Sequence, residues 1–203
     1  MWRHTTRPTV KRVEVEKNLR SHHPDLLLIV ETWLNPRLKL RLDGYTIFRN
    51  DRINRQGGGT AILVKAQSTA EEIVMLPKPK SFEATAIQNK FTDGSSMVVA
   101  AAYRSSISLD QREFESFLSL CCARSSNVVV TWTPNTLIGH ALTRHRKETS
   151  WSTCEENELA VNRSRFPSRM TNTSSSFIDL FLTSHGVINI GHIAHFRRLS
   201  SHF

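Results

Sequence analysis

Glu31 stands where an apolar run ends. The segment Pro24-Asp25-Leu26-Leu27-Leu28-Ile29-Val30-Glu31-Thr32-Trp33-Leu34 reads as a buried strand that follows the breaker Pro24 and emerges at a carboxylate. A carboxylate at a strand end can hold a hard cation, because its oxygens suit magnesium. The same position also fits a surface glutamate at a strand terminus, and the residue type alone does not separate the two readings.

Any such chemistry needs a scaffold, and the pattern along the chain supplies one. Residues 8–20 carry Val10, Val13 and Leu19 among Lys11, Arg12, Glu14, Glu16 and Lys17, which predicts an amphipathic helix ended by Ser21-His22-His23-Pro24. Strands are predicted at 25–31, 44–49, 58–65, 82–91 and 96–103, between turns bearing glycine or proline. Asp93-Gly94 predicts a hairpin turn between the last two of these. Gly57-Gly58-Gly59 precedes a strand and not a helix, so it does not read as a phosphate-cradling loop. Its expected use is to let a loop pass close to the sheet.

Further on, Ser108-Leu109-Asp110-Gln111 reads as a capping box with Ser108 at the N-cap. The helix it opens sets Phe114, Phe117, Leu118 and Cys121 on one core-facing side. A buried strand is expected at 127–130, and a short helix at 154–162 inside the polar stretch 136–165. Strands are expected again at 177–182, carrying Asp179, and at 187–193. Strands alternating with helices, with hairpins among them, predict an α/β sandwich.

Composition narrows the function classes. The 203 residues suffice for one domain with a substantial core, at 39% hydrophobic content. No stretch approaches the roughly 18 apolar residues of a membrane helix, and Met1-Trp2-Arg3-His4 lacks the apolar region of a signal peptide. Cys121, Cys122 and Cys154 form neither a disulfide framework nor a zinc spacing, so a reducing, intracellular setting is the expectation. The net charge of +9 favours a polyanionic partner, nucleic acid first, with basic clusters at Arg3–Arg12, Arg144–Lys147 and Arg163–Arg169.

The segment PDLLLIVETWL resembles the signature of the endonuclease/exonuclease/phosphatase superfamily, and more closely that of the endonuclease domain of non-LTR (LINE-type) retrotransposons. Further pieces follow in the same order: Gly44-Tyr45 to Arg52, the run from Gly57 to Lys65 (GGGTAILVK), Ala102-Tyr103-Arg104, TNTSSSFIDLFLT from Thr171 to Thr183, and Leu199-Ser200-Ser201-His202-Phe203. The resemblance covers nearly the whole chain. It implies a single domain over 1–203 with a DNase I-like, two-sheet α/β sandwich. It implies metal-dependent hydrolysis of DNA phosphodiesters, nicking a target site, with magnesium or manganese as the ion. DNA is the implied partner, a reverse transcriptase domain the implied neighbour in the parent element, and the nucleus the implied location. By the same resemblance Glu31 is the metal ligand, and Tyr103 the tyrosine that contacts the scissile phosphate. Asn135 is then the asparagine of the Gly-Asp-Phe-Asn motif, and Asp179 the aspartate paired with the catalytic His202.

The departures fall on carboxylates. Where the family has Gly-Asp-Phe-Asn, this chain has Trp132-Thr133-Pro134-Asn135, so Thr133 stands in the place of the aspartate. Threonine is neither a carboxylate base nor an anionic ligand, and Pro134 lacks a backbone N–H. Ser201 replaces the aspartate before His202. Residues 2–7 show little strand pattern and no asparagine, and the chain ends at Phe203 where the family continues into a final strand. The expectation is therefore a divergent copy with a degenerate first strand and a truncated last one. Its metal binding is expected to be weak and its catalysis impaired, since removal of a general base costs about 10²–10⁴ in rate. The alternatives are a non-catalytic basic nucleic-acid-binding module and a non-functional remnant of a transposable element.

Overall fold

Two β-sheets lie face to face. The computed structural model describes residues 6–53, 57–104, 108–134, 159–163, 169–170, 175–176 and 180–184. In chain order the elements are α1 (Thr6–His22), β1 (Leu26–Val30), β2 (Tyr45–Asn50), β3 (Thr60–Lys65), β4 (Thr69–Glu72), β5 (Glu83–Lys90), β6 (Ser96–Arg104), α2 (Gln111–Cys122), β7 (Val128–Pro134), β8 (Leu159–Arg163), β9 (Arg169–Met170), β10 (Ser175–Ser176) and β11 (Leu180–Ser184). Among the described residues, one sheet has three strands in the order β1-β3-β2 and the other has six in the order β4-β5-β6-β7-β11-β8. β9 and β10 form a short separate pair. The expected α/β sandwich is what the chain adopts.

Alternation along the strands divides the apolar residues among three layers, because successive side chains point to opposite faces. On β3, Ala61 and Leu63 face a cluster with Leu19 of α1, Leu27 and Leu42. Ile62 and Val64 face the other sheet and meet Ile87, Val99 and Ala101. On β6, Val98, Ala100 and Ala102 face the opposite way and pack with Phe114, Phe117, Leu118 and Cys121 of α2. Phe82, Phe114, Phe117 and Trp132 form an aromatic knot under α2, with the Phe114 and Trp132 ring centroids 4.6 Å apart. Burial pushes the Cys121 thiol up to about 12, so this sulfur fills the core and is no nucleophile.

The predicted strands of the first half all form, within a residue or two of their expected ends. The hairpin at 91–95 closes with Gly94 at φ +84 and its N–H 3.1 Å from the Phe91 carbonyl oxygen. β4, with the sequence Thr-Ala-Glu-Glu, was not expected; it adds an edge strand paired to β5. Three other expectations need correction. α1 is longer than predicted and weakly amphipathic: Leu19 and Val15 make the contact, while Val13 is exposed. The cap of α2 is Asp110 and not Ser108; its carboxylate accepts from the N–H groups of Arg112 and Glu113. Glu113, in the first turn, accepts from Lys80 N, Ser81 N and Ser81 Oγ, tying the loop before β5 to the helix. Finally, the part of the expected 154–162 helix that is described, from Leu159 onward, is strand, paired to β11. The expected strand at 187–193 and the stretch 2–5 lie outside the described residues.

Phe117 is 2% exposed at the centre of the α2 layer. Phe117→Ala is expected to cost about 3–5 kcal/mol, read as a lower urea midpoint with the far-ultraviolet dichroism of the native state retained.

Candidate active site

Residues from both sheets converge at one end of the sandwich. On β6 the odd-numbered residues Val99 and Ala101 face the three-stranded sheet, so Tyr103 emerges on that face at the strand's end. β5 is antiparallel to β6 with Glu83 opposite Tyr103, and β7 is parallel to it with Thr133 beside Tyr103. Trp132 packs under α2, which turns its neighbour Thr133 to the inter-sheet side. Glu83, Tyr103 and Thr133 therefore stand in one row across three strands. β1 of the facing sheet delivers Glu31 to this row. The Tyr103 hydroxyl donates a short hydrogen bond to Glu31 Oε1, joining residues 72 apart in sequence.

The backbone at Glu31 is unusual. Glu31 has φ 54 and Trp33 has φ 58, the left-handed region that residues with a Cβ rarely occupy. Opposite them lies the glycine triplet. Trp33 N donates to the Gly58 carbonyl at 2.9 Å, Thr32 N to the Gly59 carbonyl at 3.3 Å, and Thr32 Oγ1 to the Gly58 carbonyl at 3.4 Å. The close approach needs glycine. At Gly59, with φ +84, a Cβ would lie 2.5 Å from Thr32 Oγ1, and at Gly58 it would run into the Arg52 guanidinium. The expectation that the triplet lets a loop pass close to the sheet is met here.

Glu83 is fully engaged. Oε1 accepts from Arg52 Nε, and Oε2 accepts from Gly59 N at 2.6 Å. Tyr103 is 3% exposed. Burial first, and then the bond to Glu31, hold its phenol well above the ordinary value of 10.0; Glu83 adds to the rise and Arg52 opposes it. At neutral pH the hydroxyl keeps its proton and acts as a donor to the carboxylate.

Of the residues that the resemblance assigns to the site, the structure brings Glu31, Tyr103 and Thr133 together. Asn135, Asp179, Ser201 and His202 lie outside the described residues. Glu83 was not anticipated, and Arg52 had been noted only as the end of a motif. Among the described residues no group of three or more His, Cys, Asp or Glu side chains is arranged to hold a metal. Glu31 offers the hard anionic oxygen, while both oxygens of Glu83 are occupied by Arg52 and Gly59. One carboxylate is the least that a magnesium site commonly uses, water and substrate phosphate then completing the shell.

A sandwich of a three-stranded and a six-stranded sheet, with a carboxylate and a tyrosine meeting at one end, defines a fold that comparison with known proteins identifies. The chain belongs to the endonuclease/exonuclease/phosphatase family, whose sequence model matches residues 4–202. Solved structures share the fold at low identity. TDP2 from D. rerio, in complex with a single-strand DNA product, has 15% identity and a TM-score of 0.52, with 92% of this chain and 82% of that one covered. The catalytic domain of Xenopus laevis APE2 has 14% identity and a TM-score of 0.54, covering 89% and 79%. The 3′ phosphatase NExo from Neisseria, bound to a product DNA hairpin, has 13% identity and a TM-score of 0.52, covering 87% and 82%. A search of curated protein sequences returned no match.

The raised Tyr103 has a consequence for alkaline stability. A phenol whose folded value lies above its unfolded one contributes stability that is complete below pH 10 and is lost as pH rises from there through the folded value. The native chain should therefore lose stability as pH climbs past 10. Tyr103→Phe should flatten that slope in part, since Tyr45 is also raised by burial and continues to contribute. Urea titrations at about pH 8, 10 and 11, which bracket the ordinary phenol value, check this; an unchanged slope in Tyr103→Phe would contradict it.

Proposed function

We propose that this chain is a divergent endonuclease domain of the non-LTR (LINE-type) retrotransposon kind, built for metal-dependent hydrolysis of DNA phosphodiesters and impaired in that chemistry. The observation that carries the reading is the row at the end of the sandwich: Glu31 held by Tyr103, with Thr133 beside Tyr103 where a carboxylate would serve. The retrotransposon origin is supported by the sequence, through ETWL, GGGTAILVK, AYR and TNTSSSFIDLFLT in that order. DNA as substrate is supported by the net charge of +9 and by the DNA products held by TDP2 and NExo, proteins of the same fold.

In this proposal Glu31 is the metal ligand and magnesium the ion, with manganese a substitute. A bound divalent ion supplies charge stabilisation to the phosphoryl and leaving oxygens. The chain's own part is to orient and to move protons. Tyr103 fixes the Glu31 carboxylate and keeps its own proton. Asn135 is proposed to orient the attacking water, and Asp179 to hold His202 for proton transfer or for stabilising the phosphoryl oxygens. Thr133 supplies a neutral hydroxyl where the water needs an anionic base, and Ser201 removes a further carboxylate. The parent element would join this domain to a reverse transcriptase and act in the nucleus.

Thr133 also favours a second reading, a module that keeps DNA binding without cleavage. The test is nicking of supercoiled plasmid with magnesium by the native chain, by Glu31→Gln and by the double variant Thr133→Asp/Ser201→Asp. The expected result is nicking by the double variant at least about 100-fold above the native chain. Efficient nicking by the native chain that is lost in Glu31→Gln would refute the impairment. No nicking by any of the three, together with DNA affinity that falls linearly in log–log against salt as counterions are released, would favour the binding module.

A further inference from the structure

We infer that Arg52 and Glu83 are positioning residues for Glu31: their ion pair clamps the glycine triplet to β5, and the triplet in turn holds residues 31–33 in the backbone that aims the carboxylate at Tyr103. The inference rests on the reading of Glu31 and Tyr103 as the reacting end of the sandwich.

The chain of contacts is continuous. Arg52 and Glu83 pair with side chains only 13% and 18% exposed. Both carboxylate oxygens of Glu83 are used, one by Arg52 Nε and the other by Gly59 N. The guanidinium lies against Gly58, in the space a Cβ there would need. The Gly58 and Gly59 carbonyls then receive the N–H groups of Trp33 and Thr32. Between them, Glu31 and Trp33 adopt positive φ values that a free loop of L residues would leave. The pair also sits one strand from the tyrosine, since Glu83 is the register partner of Tyr103.

The clamp does what a simple charge partner would not. Its geometry passes through backbone hydrogen bonds, so its loss should be felt as a displaced Glu31 and not only as a changed field. The two ends of that path are the Thr32 and Trp33 amides at the triplet and the Tyr103 hydroxyl at the carboxylate.

The chain has two tyrosines, Tyr45 and Tyr103, so tyrosine labelled with carbon-13 at Cζ gives two resonances, assigned with Tyr45→Phe. At neutral pH the Tyr103 resonance reports its bond to Glu31. In Arg52→Gln it is expected to move toward its position in Glu31→Ala, where that bond is gone, and Arg52→Lys, which keeps a cation for Glu83, should restore the native position in part. An unchanged Tyr103 resonance in Arg52→Gln would overturn the clamp. If Arg52→Gln does not fold, amide hydrogen exchange on the native chain decides. The Gly59 and Trp33 amides are expected to exchange at least about 100-fold more slowly than a free loop amide; exchange at loop rates would overturn the proposal. Both readouts are independent of DNA cleavage, so a chain that fails to nick DNA counts against the proposed function and leaves this inference to its own result.

Discussion

Two left-handed residues set the terms for this end of the molecule. A residue with a Cβ held at positive φ costs of order 1–3 kcal/mol, and Glu31 and Trp33 both carry that cost. The turn persists because the glycine triplet meets it with carbonyl acceptors at the distance its N–H groups need. The triplet could not come so close with side chains of its own. The approach depends in turn on how the two sheets sit. Thr60 and Thr85 meet across the gap at 2.8 Å between hydroxyls, and Asn50 Nδ2 donates to the Ala84 carbonyl at 3.2 Å. These polar contacts, one buried and one partly buried, pin the sheets in register immediately behind the site, where apolar packing alone would leave them free to slide.

The parts of the fold legible in the sequence are those decided by local pattern. Leu26–Val30, Thr60–Lys65 and Ser96–Arg104 are apolar runs bounded by breakers, and each is a strand. The face Phe114, Phe117, Leu118 and Cys121 follows from helical spacing and is buried as expected. Capping was less legible. Ser108 and Asp110 are both competent caps two residues apart, and it is the Asp110 carboxylate that accepts the N–H groups of Arg112 and Glu113. β4 was hidden for a different reason. Thr-Ala-Glu-Glu has no apolar alternation, and it pairs as an edge where its carboxylates face solvent.

The site divides in the same way. Glu31 and Tyr103 are legible through motifs, and their meeting follows from strand parity once the sheet order is known. Glu83 is not legible by itself. An acid near the start of a strand reads as a solvated position, and nothing local says that it turns inward with Thr85 and Ile87. Only the register with β6 and the neighbouring Arg52 give it a role, and both are properties of the fold. Arg52 is likewise an ordinary loop arginine until β2 delivers it to Glu83.

On the proposed reading, Thr133 is where the site loses chemistry and keeps its structure. A carboxylate at that position would stand in the same row as Glu83 and beside the Tyr103 that holds Glu31, and neighbouring carboxylates raise one another's proton affinity and repel when ionised. Threonine removes that repulsion, is β-branched, and suits the pleated surface of a strand. Its neighbours need no rearrangement to accept it: Trp132 stays in the aromatic knot under α2 and the parallel register with β6 is intact. On the proposed reading the change therefore takes away the base while easing the electrostatic strain that an active site carries. The contacts that build the fold, between Thr60 and Thr85, Arg52 and Glu83, and Tyr103 and Glu31, do not pass through residue 133. On that reading catalytic decay and structural decay are separable along β7, because Val130 and Trp132 pack toward α2 while Thr133 faces the other sheet.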